Sequence, residues 1–244
     1  MEKQEFFEKI KGRMIVSCQA VPGEPLYVEE KSIMYLMARA AKMAGTPAIR
    51  TSSVRDVAAI KEETGLPVIG LIKIQYPGFE SYITPTMKEV DELYAVGSDV
   101  IALDCTFSRR GDGRTVNDFI REVRAKYPDQ LLMADVSTYE EGVNAWELGM
   151  DMVGTTMSGY TPQSPKLDGP DYELVRRLSS KISVPVIGEG KIHEPGQAVE
   201  MLKAGAYAIV VGGAITRPLE IAQRFMKAID DAAENTDKAE AEKA

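Results

Sequence analysis

Short apolar runs rich in β-branched residues alternate along this chain with longer segments whose apolar positions recur every three or four residues. The short runs are MIVSCQ (14–19), TPAIRT (46–51), PVIGLIK (67–73), DVIALD (99–104), LLMADV (131–136), DMVGTT (151–156), PVIGEG (185–190) and AIVVGG (208–213). Continuous apolar runs of this length read as strands buried on both faces. Helical periodicity covers segments 30–44, 54–64, 86–96, 115–126, 138–149, 170–181, 195–204 and 217–232. Several of these carry end signals, such as Thr138 ahead of Glu140 and Glu141, or Glu194-Pro195 opening a segment that stops at Gly205. Parallel strands joined by helices form βαβ units, and eight such units in a chain of this size predict a closed (β/α)8 TIM barrel. The competing open, doubly wound sheet would carry a GxGxxG turn after its first strand, where this chain has CQAVPGEP. No linker divides the chain. The barrel is expected over 1–234, with a short N-terminal helix, and the polar segment 235–244 (NTDKAEAEKA) reads as a frayed tail.

In such a barrel the C-terminal ends of the strands hold the site. Here those ends carry Gln19, Arg50, Lys73, Asp104, Asp135, the pair Thr155-Thr156, Glu189 and the glycines 212–213. Singly, each has an ordinary explanation in a strand reaching solvent. Together they place costly charges around one mouth, which points to use. The glycine pairs Gly188/Gly190 and Gly212/Gly213 end the seventh and eighth strands, where barrels of the phosphate-binding type build their anion site from bare backbone N–H groups. Lys191 and Arg217 add charge at that place. A desolvated Lys73 amine, or one beside another cation, would have its pKa drawn toward neutrality, which suits proton abstraction from carbon or a Schiff base equally. Glu189, across the mouth, would hold a substrate hydroxyl or assist proton transfer.

Composition narrows the function classes. A net charge of −8 and a pI near 5.0 argue against nucleic-acid binding. The two cysteines, Cys18 and Cys105, are too few and too far apart for a disulfide framework or a zinc site, and read as packing residues of a reduced, cytoplasmic protein. The lone His193 is expected to be exposed in its loop, and no metal site is anticipated. MEKQEFFEKIKGR mixes both charge signs where a secretion signal would be apolar, and no run approaches the roughly 20 apolar residues that span a bilayer. No membrane association is expected.

Longer stretches carry a more specific likeness: IVSCQAVPGEPL (15–26), IGLIK (69–73), YITPTMKEVDEL (82–93), IALDCT (101–106), MADVST (133–138), GTTMSGYT (154–161), GEGKI (188–192) and VVGGAITRP (210–218). On these the chain resembles the N-acylglucosamine-6-phosphate 2-epimerases, which interconvert N-acetylmannosamine 6-phosphate and N-acetylglucosamine 6-phosphate in sialic-acid breakdown. The resemblance implies an epimerase acting at carbon 2 without nicotinamide, metal or other cofactor. It implies Lys73 as the acid/base lysine and Glu189 as its partner carboxylate. It also implies Gln19, Arg50 and Asp135 as sugar ligands, and Gly190, Lys191, Gly212, Gly213 and Arg217 as phosphate ligands. The loop SGYTPQSPKLDGP (158–170) has the look of a lid. The chain departs from the family pattern at Ile74-Gln75 and at Ser108 and Gly111, near the mouth. The expected partner is the small phosphosugar, with no nucleic acid and no membrane, and an apolar helix face or the N-terminal helix offers a surface for a homodimer. Two other readings remain open: another phosphosugar isomerase, epimerase or aldolase on the same barrel, and a non-catalytic sugar-phosphate sensor.

Overall fold

A computed structural model describes residues 2–241, with side chains described as far as residue 233. Eight strands, β1 (Met14–Ser17), β2 (Ile49–Ser52), β3 (Val68–Leu71), β4 (Val100–Asp104), β5 (Leu131–Asp135), β6 (Met152–Gly154), β7 (Val186–Glu189) and β8 (Ala208–Val211), pair in parallel in chain order. The barrel closes where β1 meets β8, with Met14 opposite Ile209 and Val16 opposite Val211. The helices are α1 (Lys3–Ile10), α2 (Met34–Met43), α3 (Val54–Thr64), α4 (Met87–Ala95), α5 (Val116–Lys126), α6 (Tyr139–Glu147), α7 (Tyr172–Lys181), α8 (Pro195–Lys203), α9 (Gly213–Thr216) and α10 (Pro218–Ala241). The expected TIM barrel is therefore the fold of this chain. The structure adds the single turn α9, which glycine-rich sequence does not announce.

Strand side chains alternate between two apolar layers, as the two-residue period of a strand requires. Ile15, Ile69, Val100, Ala102, Met133, Met152, Ile187 and Val210 fill the barrel interior. Val16, Val68, Ile101, Leu132, Val153 and Ile209 face outward, beneath the helices. Both cysteines belong to the outer layer and are fully buried, so their expected packing role holds. Burial raises the Cys18 thiol to about 12 and pushes Cys105 up as well, which leaves neither as a nucleophile.

The same parity decides which strand-end residues turn inward. Two residues beyond Ile15 lies Ser17; beyond Leu71, Lys73; beyond Met133, Asp135; beyond Ile187, Glu189; beyond Val210, Gly212. At the opposite end α1 closes the floor, its Phe6 and Ile10 one turn apart, both fully buried in the interior cluster. α10 begins after α9 and runs as a helix to Ala241, through the part of the tail expected to fray; residues 242–244 lie outside the described residues. Through residue 233 none of its residues is buried.

Above β3 and β4 the ladder is interrupted. The two strands pair only at Ile69–Val100 and Gly70–Ile101. Beyond that, residues 82–84 wedge in: Lys73 bridges Ile83 in antiparallel fashion, Ile74 N–H donates to Tyr82 O at 3.0 Å, and Asp104 N–H donates to Ile83 O at 2.9 Å. Fully buried Arg110 clamps the wedge, donating to the carbonyls of Thr84, Pro85 and Asp104 at 3.2, 3.0 and 2.5 Å while stacking on Phe119. The wedge delivers Tyr82 to the mouth.

Candidate active site

A cavity of about 210 Å³ opens at the C-terminal end of the barrel. Of the expected site residues, Gln19, Arg50, Lys73, Glu189, Gly190, Lys191, Gly212, Gly213 and Arg217 all line it. Asp135 does not. It lies fully buried, its Oδ2 accepting from Arg50 Nη2 at 2.7 Å, and so orients a residue of the lining. His193, expected to be exposed, is half-buried in the cavity wall, where burial lowers its pKa. Ile74, Gln75, Ser108 and Gly111 stay out of the lining. Gly111 has a packing reason, since a Cβ there would run into the Tyr76 ring.

Lys73 carries the least committed charge in the cavity. Among the described residues no hydrogen bond or ion pair engages its amine. Burial, then the positive charges of Arg217 and Arg50, lower its pKa to about 8 from the ordinary 10.5. About a tenth is therefore free base at pH 7, far more than an ordinary lysine holds. Glu189 is shifted the other way. Burial raises it to about 7, with Arg50 opposing and Asp135 reinforcing the shift. Its Oε1 lies 3.3 Å from Arg50 Nε, and its Oε2 lies 3.1 Å from Thr156 Oγ1. An amine and a carboxyl with pKa values drawn this close exchange a proton at little cost, which is what general acid–base chemistry requires.

Two polar atoms here are buried without hydrogen-bond partners: Gln19 Oε1 and Arg50 Nε. Gln19 spends its amide on Ser17 Oγ at 2.8 Å, which leaves the carbonyl oxygen open. An orphaned buried acceptor and donor on the wall of one cavity are the pattern of groups that a polar ligand satisfies.

The glycine corner occupies the other side. Gly190 and Lys191 both take positive φ, 105° and 55°, and the second of these is strained for a residue bearing a Cβ. That turn throws Lys191 outward, its Nζ donating to Leu167 O at 2.5 Å and lying over the Tyr160 ring. The 158–170 loop is thereby tied to the end of β7. The loop is knotted internally by Ser164 Oγ, which accepts from Gly159 N–H at 2.9 Å and Thr161 N–H at 3.3 Å. Arg217 follows α9 and is held by Glu24 and Glu220, each at 3.0 Å.

Ser17, Tyr82 and Tyr160 also line the cavity and were not among the expected site residues, and Thr156, named at the end of the sixth strand, lines it as well. Thr156 was detectable by parity, two residues past inward-facing Gly154. Tyr82 was not, because a wedge of irregular chain has no period.

A TIM barrel whose mouth pairs a lowered lysine with a raised carboxyl, beside a glycine-lined corner, defines a barrel equipped for proton transfer on a small polar ligand. Comparison with known proteins narrows this class. The family model described as "Putative N-acetylmannosamine-6-phosphate epimerase" matches residues 34–231. The chain belongs to this N-acetylmannosamine-6-phosphate epimerase family. It is 50% identical over 229 residues, 94% of this chain and 96% of the other, to a Caldanaerobacter subterraneus protein named "Putative N-acetylmannosamine-6-phosphate 2-epimerase". A Pediococcus pentosaceus protein of the same name is 48% identical over 93% of this chain and 99% of its own. Among solved structures, the N-acetylmannosamine-6-phosphate 2-epimerase of Clostridium perfringens superposes with a TM-score of 0.86 at 48% identity, covering 91% of this chain and 95% of that one. The thiamine phosphate pyrophosphorylase of Pyrococcus furiosus, at 18% identity and a TM-score of 0.58 over 88% and 91% of the two chains, shares the fold alone.

Proposed function

We propose that this chain interconverts N-acetylmannosamine 6-phosphate and N-acetylglucosamine 6-phosphate by removing and returning the proton at carbon 2. The observation that carries the reading is the Lys73 amine, without a hydrogen-bond or ion-pair partner among the described residues and lowered to about 8, in the same cavity as Glu189. The hydrogen at carbon 2 is acidic only beside a carbonyl at carbon 1, so the open-chain sugar is the reacting form. Neutral Lys73 takes the carbon-2 proton, the C–H electron pair moves toward carbon 1, and the negative charge collects on the carbonyl oxygen as an enolate. Return of a proton to the opposite face gives the epimer. Arg50 Nε and Gln19 Oε1, buried and without a hydrogen-bond partner, serve the polar groups of the sugar. Gly190, Lys191, Gly212, Gly213 and Arg217 receive the phosphate, where bare backbone allows close approach.

For its assembly we propose a homodimer. Phe225, Met226 and Ile229 of α10 are 70%, 59% and 63% exposed. An apolar groove of about 470 Å³, lined by Met14, Val199, Leu202, Ile209 and Ile215, stays uncovered in the single chain. The exposure of these apolar surfaces supports a dimer that would bury them between two copies. Among the described residues no helix is long and apolar enough to cross a membrane.

The deciding experiment is a proton NMR time course of N-acetylmannosamine 6-phosphate with the protein in deuterium oxide, beside Lys73→Ala. Appearance of N-acetylglucosamine 6-phosphate carrying deuterium at carbon 2, lost in the variant, is the expected result. Binding without conversion would return the reading to a sensor, and reduction by borohydride that labels Lys73 would return it to Schiff-base chemistry.

A further inference from the structure

Thr156 Oγ1 stands between two carboxyl groups, 2.6 Å from Asp135 Oδ1 and 3.1 Å from Glu189 Oε2. A hydroxyl owns one hydrogen and so donates to only one of them. The Asp135 contact has the length of a charge-assisted O–H···O⁻ bond, and Asp135 is the anion in the buried ion pair with Arg50. The hydrogen therefore goes to Asp135. Toward Glu189 the hydroxyl presents a lone pair, which repels a carboxylate oxygen but accepts from a carboxylic acid. Placing the hydrogen toward Glu189 instead would leave two oxygen lone pairs facing each other at the shorter distance, the costlier arrangement.

From this geometry we propose that Thr156 is a positioning residue: it accepts a hydrogen bond from the Glu189 carboxyl and so holds that group in its protonated, uncharged form beside Lys73. The inference rests on the epimerase reading and adds to it a direction for the chain of hydrogen bonds, from Glu189 through Thr156 to Asp135 and Arg50. The backbone fixes the participants. Thr155 Oγ1 donates to Glu189 O at 2.9 Å and accepts from Glu189 N–H at 3.1 Å, which pins the ends of β6 and β7 together.

The consequence falls on Lys73. A carboxylate at Glu189 would stabilise the ammonium form, because it acts more strongly on that amine than the other opposing charge, Glu24. An uncharged Glu189 removes this attraction, leaving burial and the charges of Arg217 and Arg50 to favour the free amine. The charged and titratable groups facing Glu189 are Arg50 from β2, Lys73 beyond β3, Asp135 from β5 and Tyr160 from the 158–170 loop. Of these, only Asp135 shares a hydroxyl with it.

The test reads the Glu189 proton directly. Infrared spectra over a pH series, with Glu189→Gln assigning the carboxyl C=O band, follow its loss in wild type, Thr156→Val and Thr156→Ser. Valine keeps the shape and removes the acceptor, so its titration is expected to move about one pH unit lower, the size set by one hydrogen bond. At neutral pH its kcat/KM is expected to fall about tenfold. Serine keeps the hydroxyl and is expected to restore the wild-type titration. An unmoved or upward-moved titration in Thr156→Val, or no Glu189 carboxyl band in wild type at neutral pH, overturns the proposal; Thr156→Ala gives the same reading if the valine protein does not fold. If no protein turns over N-acetylmannosamine 6-phosphate, the functional reading fails, yet the infrared titration still decides the role of Thr156.

Discussion

Arg50 and Asp135 form an ion pair at 2.7 Å with both side chains shut from water, at 1% and 0% exposure. Asp135 fixes the guanidinium from below, while Arg50 Nε remains without a hydrogen-bond partner at the cavity wall. The pair divides one cation into a structural end and a working end.

Removing the structural end leaves a buried charge unopposed. Asp135→Ala is expected to cost about 3–5 kcal/mol in denaturant unfolding, the range for breaking a buried pair from one side. Arg50→Lys is expected to fail too, since an ammonium cannot span both carboxyl groups in the geometry of the planar fork. A loss within the scatter of surface substitutions would show that water reaches this pair.

The lowered Lys73 amine sets the acid side of the rate profile. Its free base grows as pH rises through about 8, so kcat/KM is expected to climb across that value, and Lys73→Ala to lose roughly 10²–10⁴-fold. Initial rates from acid to alkaline pH, by proton NMR or a coupled assay, check both.

Stability carries the opposite sign at Glu189. Its carboxyl is raised from 4.5 to about 7 in the folded chain, so the folded state holds a proton that the unfolded state has released. That contribution is fully present below pH 4.5 and is lost as pH rises through about 7. Glu189→Gln cannot titrate there. Urea midpoints of wild type minus variant are expected to fall across this window, and a flat difference would refute the shift.

Arg217 meets Glu24 and Glu220 where a phosphate is expected, so an incoming anion must displace a carboxylate. Glu24→Gln weakens that competition. Because the pair is partly exposed its worth is small, and KM is expected to fall about two- to fivefold with kcat unchanged. Inhibition by inorganic phosphate should strengthen in step.

For the assembly, light scattering is expected to give twice the chain mass for wild type. Phe225→Glu with Ile229→Glu places charge on the exposed face of α10 and is expected to give the monomer. A wild-type monomer would leave that face without its proposed cover.

The barrel was legible because each of its strands is short, apolar and buried on both faces, and each helix between them carries its own period. The inward direction of Lys73, Glu189 and Gly212 follows from counting in twos along those strands. Depth does not follow from the same count. Asp135 and Glu189 share inward parity, yet one lies beneath Arg50 and the other at the cavity, because the strands are staggered around the barrel and their last residues end at different heights. Tyr82 was hidden for another reason: its place depends on Arg110 holding the carbonyls of Thr84 and Pro85, 26 and 25 residues earlier in the chain, which no local pattern records. The four-residue α9 begins at Gly213, where paired glycines read equally as a turn.

Phe6 and Ile10 seal the floor beneath an apolar interior, so among the described residues the mouth is where Lys73 meets solvent. Substrate occupies the mouth during turnover. A proton taken from carbon 2 is then slow to trade with the surrounding heavy water, and some of it goes back to the sugar it came from. The product pool in deuterium oxide is accordingly expected to be isotopically mixed, and the proportion of retained protium measures how long the occupied barrel stays shut.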